Sequence, residues 1–161
     1  MKRRTVLGSL AAVVLALSSN VVAAQEKEPI RIGVITEMSG PFADYGRQVQ
    51  TTIEAFQKAK GDTVDGRKVE IIYRDTTGPN PEVSRRAAQE LVSVEKVDFL
   101  AGFGLSPNAM GAAPIATASK TPMIIMNAAA TSNIVMRSPY IVRASFTLPQ
   151  VSAPLATWAV D

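Results

Sequence analysis

The stretch "FLAGFGLSPNAMGAAPIA" (residues 99–116) decides how the middle of this chain folds. It begins with an apolar run that favours a buried strand, passes through glycines at 102 and 104, and reaches a Ser-Pro-Asn step. Ser106 suits the N-cap of a helix, and Pro107 suits its first position because a proline lacks the N–H that would be unpaired there. Ser106 therefore has two interpretations: it caps the helix, or its hydroxyl and the free amides beside it bind an anion.

Strands and helices alternate along the rest of the chain. β-branched and apolar runs predict strands at 30–38, 68–75, 97–103, 122–128 and 140–145. Apolar residues at helical spacing predict helices at 42–61, 80–96 and 107–119, and a last helix begins near Leu148. Strands separated by helices of this length are typical of right-handed βαβ units. We therefore predict an α/β fold, a parallel sheet with flanking helices.

The first residues have the three-part layout of a secretory signal peptide. A basic start at residues 2–4 is followed by an apolar run at 6–17 and by small residues at 22–24. The alternative is an uncleaved membrane anchor, but the apolar run is shorter than the roughly 20 residues that span a bilayer. We predict a signal peptide at 1–24, cleaved near Ala24.

Composition excludes several kinds of chemistry. The chain has 17 Lys and Arg, 14 Asp and Glu, and neither His nor Cys. Three of the basic residues lie in the signal peptide, so the remainder is formally neutral and gives little support for nucleic-acid or membrane binding. Without Cys the chain can form no disulfide and has no thiol for catalysis. Without His it has no His-based triad and no His-ligated metal site. We expect no metal, no cofactor and no nucleic-acid partner.

Three loops with small polar residues follow predicted strands. The ligand crevice of an open parallel sheet lies outside the carboxyl ends of its strands. The loops carry, in order, Ser39, Gly40, Asp44, Tyr45 and Gly46; then Ser106; then Asn127, Thr131 and Ser132. Each loop also has a plain interpretation as a turn or a cap. None contains G-x-G-x-x-G or G-K-[ST], so a nucleotide site is not supported, and Asp75 is better explained as a turn residue.

Four segments together carry a family resemblance. "IGVITEMSGPFADYG", "RDTTGPNPEVSRRAAQELV", "VDFLAGFGLSPNAMGAAPIA" and "TPMIIMNAAATSNI" resemble the first lobe of periplasmic solute-binding proteins of the branched-chain amino-acid (Leu/Ile/Val-binding) type, which serve ABC importers. The resemblance implies the type I periplasmic binding-protein fold, with the ligand between two α/β lobes. It divides the chain into an incomplete first lobe at 25–145 and, at 146–161, the hinge and the start of a truncated second lobe. We therefore expect an N-terminal fragment that by itself binds ligand weakly or not at all.

The resemblance also implies a site. Ser106 and Thr131 match residues that bind the ligand's carboxylate or ammonium, the backbone of Ala129 matches a further contact, and Tyr45 matches a residue that lines the cleft. The implied function is a periplasmic, non-enzymatic receptor that delivers a small carboxylated solute to a membrane permease, its only link to the membrane. This chain lacks the family's first-lobe disulfide, and its loop around Leu105 is more apolar, so amides, short acids and aromatic carboxylates stay open as ligands.

Two other functions fit less well. The first is an extracytoplasmic ligand-sensing domain of the same fold, coupled to a signalling partner. The second is an exported hydrolase, which without His or Cys would need a Ser-Lys pair. Ser119 and Lys120 are adjacent, but no nucleophile-elbow motif surrounds them, so we predict no catalytic residue.

Overall fold

The structure, a computed structural model, describes residues 27–130 and 134–160. Every predicted strand and helix is present, with ends that differ by a few residues, whereas the predicted signal peptide at 1–24 lies outside the described residues. Single turns of 3-10 helix lie at Gly40–Phe42 and Val135–Arg137. The elements in chain order are β1 (Ile30–Thr36), α1 (Ala43–Lys60), β2 (Thr63–Val64), β3 (Arg67–Asp75), α2 (Pro81–Ser93), β4 (Phe99–Gly102), α3 (Ser106–Ser119), β5 (Met123–Ile125), β6 (Ile141–Arg143) and α4 (Leu148–Val160).

The strands form one sheet in the order β2-β3-β1-β4-β5-β6. All neighbouring pairs are parallel except β2 with β3, so the predicted parallel sheet is confirmed. The unpredicted β2 is a two-residue strand joined to β3 through Asp65 and Gly66, both with positive φ, as a tight hairpin turn requires. β1 lies between β3 and β4, so the strand order reverses there, and such a reversal is where ligands bind in this class of sheet.

One face of the sheet carries the larger core. Helices α2 and α3 pack side by side on this face, and the buried side chains there include Ile35, Leu91, Leu100, Met123 and Ile125. The two helices approach closely because Gly111 has no side chain: a Cβ there would collide with the carbonyl oxygen of Pro81. This packing fixes the start of α3 relative to the ends of β1 and β4.

The opposite face is covered less completely. Val49 of α1 packs with Val34 and Ala101 in a second, smaller apolar cluster. Beside it an apolar hollow of about 590 Å³ remains open, lined in part by Phe56 and Met126. Helix α4 has no buried residue. None of the described helices is both long enough and apolar enough to cross a membrane.

The helix ends follow the predicted signals in two places. Asn80 caps α2, since its Oδ1 accepts a hydrogen bond from the N–H of Val83 at 3.2 Å, and Pro81 comes next. Gly61, with φ of 90°, ends α1. Helix α3 differs, because its cap position is Leu105 and no side chain caps it.

Candidate ligand-binding site

A sharp turn after β4 brings the third helix to the edge of the sheet. Gly102 has φ of 105° and Phe103 has φ of 65°, so two successive residues leave the extended conformation. The N–H of Phe103 donates to the carbonyl of Ile35 at 2.7 Å, and its carbonyl accepts from the N–H of Ala128 at 2.9 Å. The ring of Phe103 is fully buried. A left-handed, non-glycine residue held on both sides in this way is typical of functional loops.

Gly104 makes room for the loop that follows β1. A Cβ at position 104 would lie 2.6 Å from Cε1 and 2.8 Å from Cδ1 of Tyr45, and closer still to Oε2 of Glu37. Only a glycine therefore lets these two side chains approach the turn. This contact explains why a glycine stands at position 104. It also places Tyr45 against the segment that leads to Ser106.

Ser106 does not cap its own helix. It is the first residue of α3, and its Oγ accepts a hydrogen bond from the N–H of Ala130 at 3.0 Å. Because the oxygen is the acceptor in this bond, the hydroxyl proton stays available to a further acceptor. The capping interpretation is wrong: the hydroxyl joins the loop after β4 to the loop after β5.

The loop after β5 is held from several directions. The side-chain amide of Asn127 donates to the carbonyl of Gly104 at 3.1 Å. The guanidinium of Arg143 donates to the carbonyls of Ala128, at 3.1 Å, and of Ala130. The carbonyl of Ala129 accepts from the N–H of Leu148 at 2.9 Å. The next residue, Ala130, donates its N–H to Ser106 Oγ, so the backbone of Ala129 lies close to Ser106.

Three of the four predicted site residues lie along one rim of the sheet. Tyr45 packs against the turn at Gly104, Ser106 follows two residues later, and Ala129 is next to the bond between Ser106 and Ala130. The fourth, Thr131, lies outside the described residues. The structure thus brings together the loops predicted to bind the ligand.

A buried polar cluster lies behind this rim. The carboxylate of Glu37 is fully buried and accepts a hydrogen bond of 2.6 Å from the side-chain amide of Asn108. The same amide donates to Thr76 Oγ1 and to the carbonyl of Gly78, each at 2.9 Å, and Asn108 Oδ1 accepts from the N–H of Asn80 at 2.8 Å. No cationic side chain of the described residues pairs with Glu37. Asn108 therefore connects the loops after β1 and β3 to the first turn of α3.

Asp75 organises the loop after β1. Its carboxylate accepts hydrogen bonds from the N–H groups of Met38 (2.8 Å), Ser39 (3.3 Å) and Thr77 (2.7 Å), and from the hydroxyl of Ser39. Burial acts to raise the pKa of Asp75, but these hydrogen bonds outweigh it and leave the pKa below its ordinary value. The predicted role of Asp75 in the turn after β3 is confirmed by its bond to Thr77. Asp75 also holds the neighbouring loop after β1, through Met38 and Ser39.

Tyr45 presents a neutral hydroxyl at this edge. Burial raises the pKa of Tyr45, and the negative charge of Glu37 raises it further. The phenol therefore stays protonated at neutral pH and can donate a hydrogen bond. Like Ser106, Tyr45 therefore has an uncharged hydroxyl that can donate a hydrogen bond.

Sequence reasoning missed three residues that shape the site. Glu37 lies within the predicted strand 30–38 and was not singled out, Asn108 has the pattern of an ordinary residue in the first turn of a helix, and Arg143 is one basic residue in a short strand. A signal for Glu37 was available, because it directly follows the carboxyl end of β1, whereas Asn108 lies in α3, six residues after the end of β4. None was available for Arg143, because its partners are backbone carbonyls.

The fold, with its crevice-edge loops, is that of the periplasmic binding proteins. That family matches residues 29–161, and the chain belongs to it. The described residues form part of a type I periplasmic binding-protein fold.

Similar proteins are solute-binding proteins of ABC transporters. One from Rhodopseudomonas palustris HaA2, solved with p-hydroxybenzoic acid, is 47% identical, with a TM-score of 0.78 over 83% of this chain and 36% of that one. One from R. palustris BisB5, solved with 3,4-dihydroxybenzoic acid, is 46% identical, with a TM-score of 0.77 over 81% and 36%. A leucine binding protein from Thermotoga maritima is 28% identical, with a TM-score of 0.75 over 81% and 36%.

A curated relative agrees with these structures. The Leu/Ile/Val-binding protein homolog 6 of Brucella abortus is 43% identical over 152 residues, which cover 94% of this chain. The chain spans 39% of the length of that relative.

Proposed function

We propose that the protein is the periplasmic solute receptor of an ABC importer and that its ligand is a small aromatic carboxylic acid. The receptor binds the acid at the rim formed by Tyr45, Ser106 and the loop at 127–130, and a permease takes the acid from it. No catalytic step is involved. A second lobe, supplied by further chain in a longer product, would close over the ligand.

The observation that carries the proposal is the free donor at Ser106. Its oxygen accepts from the N–H of Ala130, so its proton is left to donate to another acceptor. Among the described residues the N–H of Ala129 has no hydrogen-bond acceptor. Both donors lie beside the N-terminus of α3, where the helix dipole favours a negative charge. A carboxylate can therefore be held without a cationic side chain, at about 1.5–3 kcal/mol per charge-assisted hydrogen bond.

An aromatic acid is favoured over an amino acid for two reasons. Apolar side chains accompany the donors in these loops: Phe42 is 42% exposed, Leu105 is partly exposed, and Tyr45 offers a ring. The relatives solved with hydroxybenzoic acids are 46–47% identical to this chain, whereas the leucine binding protein is 28% identical. A benzoate needs an anion site and apolar surface for its ring, and the side chains of Phe42 and Leu105 supply apolar surface in the loops that carry the donors.

A thermal-shift screen of the full-length gene product tests the proposal. The probes are 4-hydroxybenzoate, 3,4-dihydroxybenzoate, leucine, isoleucine and a short aliphatic amide. A ligand that binds the native state raises Tm in proportion to ln(1 + [L]/Kd). We expect the two benzoates to raise Tm at concentrations where leucine and isoleucine do not.

A pair of serine variants locates the binding. Ser106→Ala should lower the benzoate affinity by about one to two orders of magnitude, the value of one charge-assisted hydrogen bond. Ser119→Ala is the matched control: it removes a hydroxyl at the other end of the same helix, where Oγ bonds only to nearby residues. A shift with leucine alone would contradict the aromatic ligand, and no shift with any probe would contradict the receptor function.

A further inference from the structure

We propose that Arg143 is a positioning residue for ligand binding, which turns the N–H of Ala129 toward the ligand by holding the carbonyls on either side of it. The proposal rests on the receptor function above. In this proposal Arg143 acts through the backbone of the loop after β5 and does not bind the ligand directly.

The guanidinium of Arg143 is committed to the backbone. Nε donates to the carbonyl of Ala128 at 3.1 Å, and Nη2 donates to the carbonyl of Ala130. No carboxylate of the described residues forms an ion pair with it. The planar fork of an arginine can engage two carbonyls in fixed directions, which the single ammonium of a lysine cannot reproduce.

Because Arg143 holds these carbonyls, the geometry of the peptide bond determines the direction of the Ala129 N–H. In a trans peptide the C=O of one residue and the N–H of the next point in opposite directions. The carbonyl of Ala128 points at Arg143, so the N–H of Ala129 points away from it. The next peptide is fixed in the same way, because the carbonyl of Ala129 accepts from Leu148 while the N–H of Ala130 donates to Ser106.

The sheet holds the backbone of Arg143 in place. Arg143 is the last residue of β6, in register with Ile125 of β5, and the N–H of Ala144 donates to the carbonyl of Ile125 at 2.9 Å. The loop is therefore held between Ser106 on one side and the end of β6 on the other. A ligand-binding amide held by groups outside the loop loses little conformational freedom when ligand binds.

Two substitutions separate positioning from charge. Arg143→Lys keeps the positive charge and loses the fork, and Arg143→Gln loses both. Arg85→Gln is the matched control, because Arg85 also makes a forked contact, to Glu82, on the exposed face of α2. All are made in the full-length gene product.

Hydrogen–deuterium exchange without ligand tests the structural half of the proposal. We expect the backbone segment 126–130 to exchange faster in both Arg143 variants than in the wild type, and to be unchanged in Arg85→Gln. Unchanged exchange in Arg143→Gln would overturn the proposal. Because no ligand is present, this result does not depend on the receptor function.

Titration calorimetry with 4-hydroxybenzoate tests the functional half. We expect Arg143→Lys and Arg143→Gln each to bind about tenfold more weakly, the cost of one misdirected hydrogen bond to a charged ligand. Arg143→Lys with wild-type affinity would overturn the proposal in favour of a purely electrostatic role. If the wild type binds no benzoate while exchange changes as expected, the receptor function fails and the positioning of the loop stands.

Discussion

Removing the side chain of Asn108 should destabilise the protein far more than an ordinary polar-to-alanine change. One amide holds two loops against the first turn of α3: it donates to Glu37 at 2.6 Å and to Thr76 and Gly78 at 2.9 Å, and Oδ1 accepts from Asn80 at 2.8 Å. Asn108→Ala loses one hydrogen bond to a charged group, at about 1.5–3 kcal/mol, and leaves the partly buried N–H of Asn80 and the buried carbonyl of Gly78 without that partner, at about 1 kcal/mol each. We expect a loss of about 3–5 kcal/mol, a large part of a typical stability of 5–15 kcal/mol.

Urea unfolding measures this loss. Gln57→Ala is the control, since Gln57 makes one neutral hydrogen bond to the carbonyl of Val69 at 3.2 Å and should cost about 1 kcal/mol. Glu37→Gln in a double-mutant cycle isolates the contribution of the charge, because Asn108→Ala should cost less when residue 37 is neutral. If Asn108→Ala costs no more than Gln57→Ala, the cluster does not hold the loops and the reasoning fails.

Two further predictions concern the loop after β1 and its contact with the turn. Asp75→Asn should lower Tm near neutral pH. Its Tm should also decrease less than that of the wild type when the pH is lowered. The folded-state pKa of Asp75 is below its unfolded value, so its contribution is present above the unfolded pKa, about 3.9, and is lost as pH falls through the folded pKa. Tm of both proteins from pH 7 to pH 2 checks this, and parallel curves would count against it. Gly104→Ala should weaken benzoate binding by displacing Tyr45, whereas Gly78→Ala, where a Cβ meets nothing within 4 Å, should not. Equal calorimetric affinities in these two variants would show that the close contact is unimportant.

The sheet could be predicted because its signals are local. Apolar strands such as 97–103 differ in pattern from the amphipathic helix at 80–96, and chain geometry then leaves few topologies. Four of the five predicted strands, all except β3, end earlier than predicted. In β5 the reason is that apolar residues continue into the loop: Ala128 is buried although it lies outside the strand. The short β2 was missed because two exposed residues carry no apolar pattern.

The site could be predicted only in part, because its chemistry depends on contacts between distant residues. Ser106 was recognised, but local pattern suggested a cap, and only the fold shows that its oxygen accepts from Ala130, 24 residues away. The burial of Glu37 depends on Asn108, 71 residues away. The role of Arg143 depends on carbonyls, which every residue has, so no sequence motif marks it.

The most direct test of the central claim compares two ligands that differ only in the group said to be bound. Calorimetry measures the affinity of the full-length gene product for 4-hydroxybenzoate and for 4-hydroxybenzamide. The second compound has a neutral amide of similar shape in place of the carboxylate. If Ser106 and the start of α3 bind the carboxylate, the amide should bind at least about tenfold more weakly, and Ser106→Ala should reduce that difference. Equal affinity for the two compounds, unchanged in Ser106→Ala, would contradict the account.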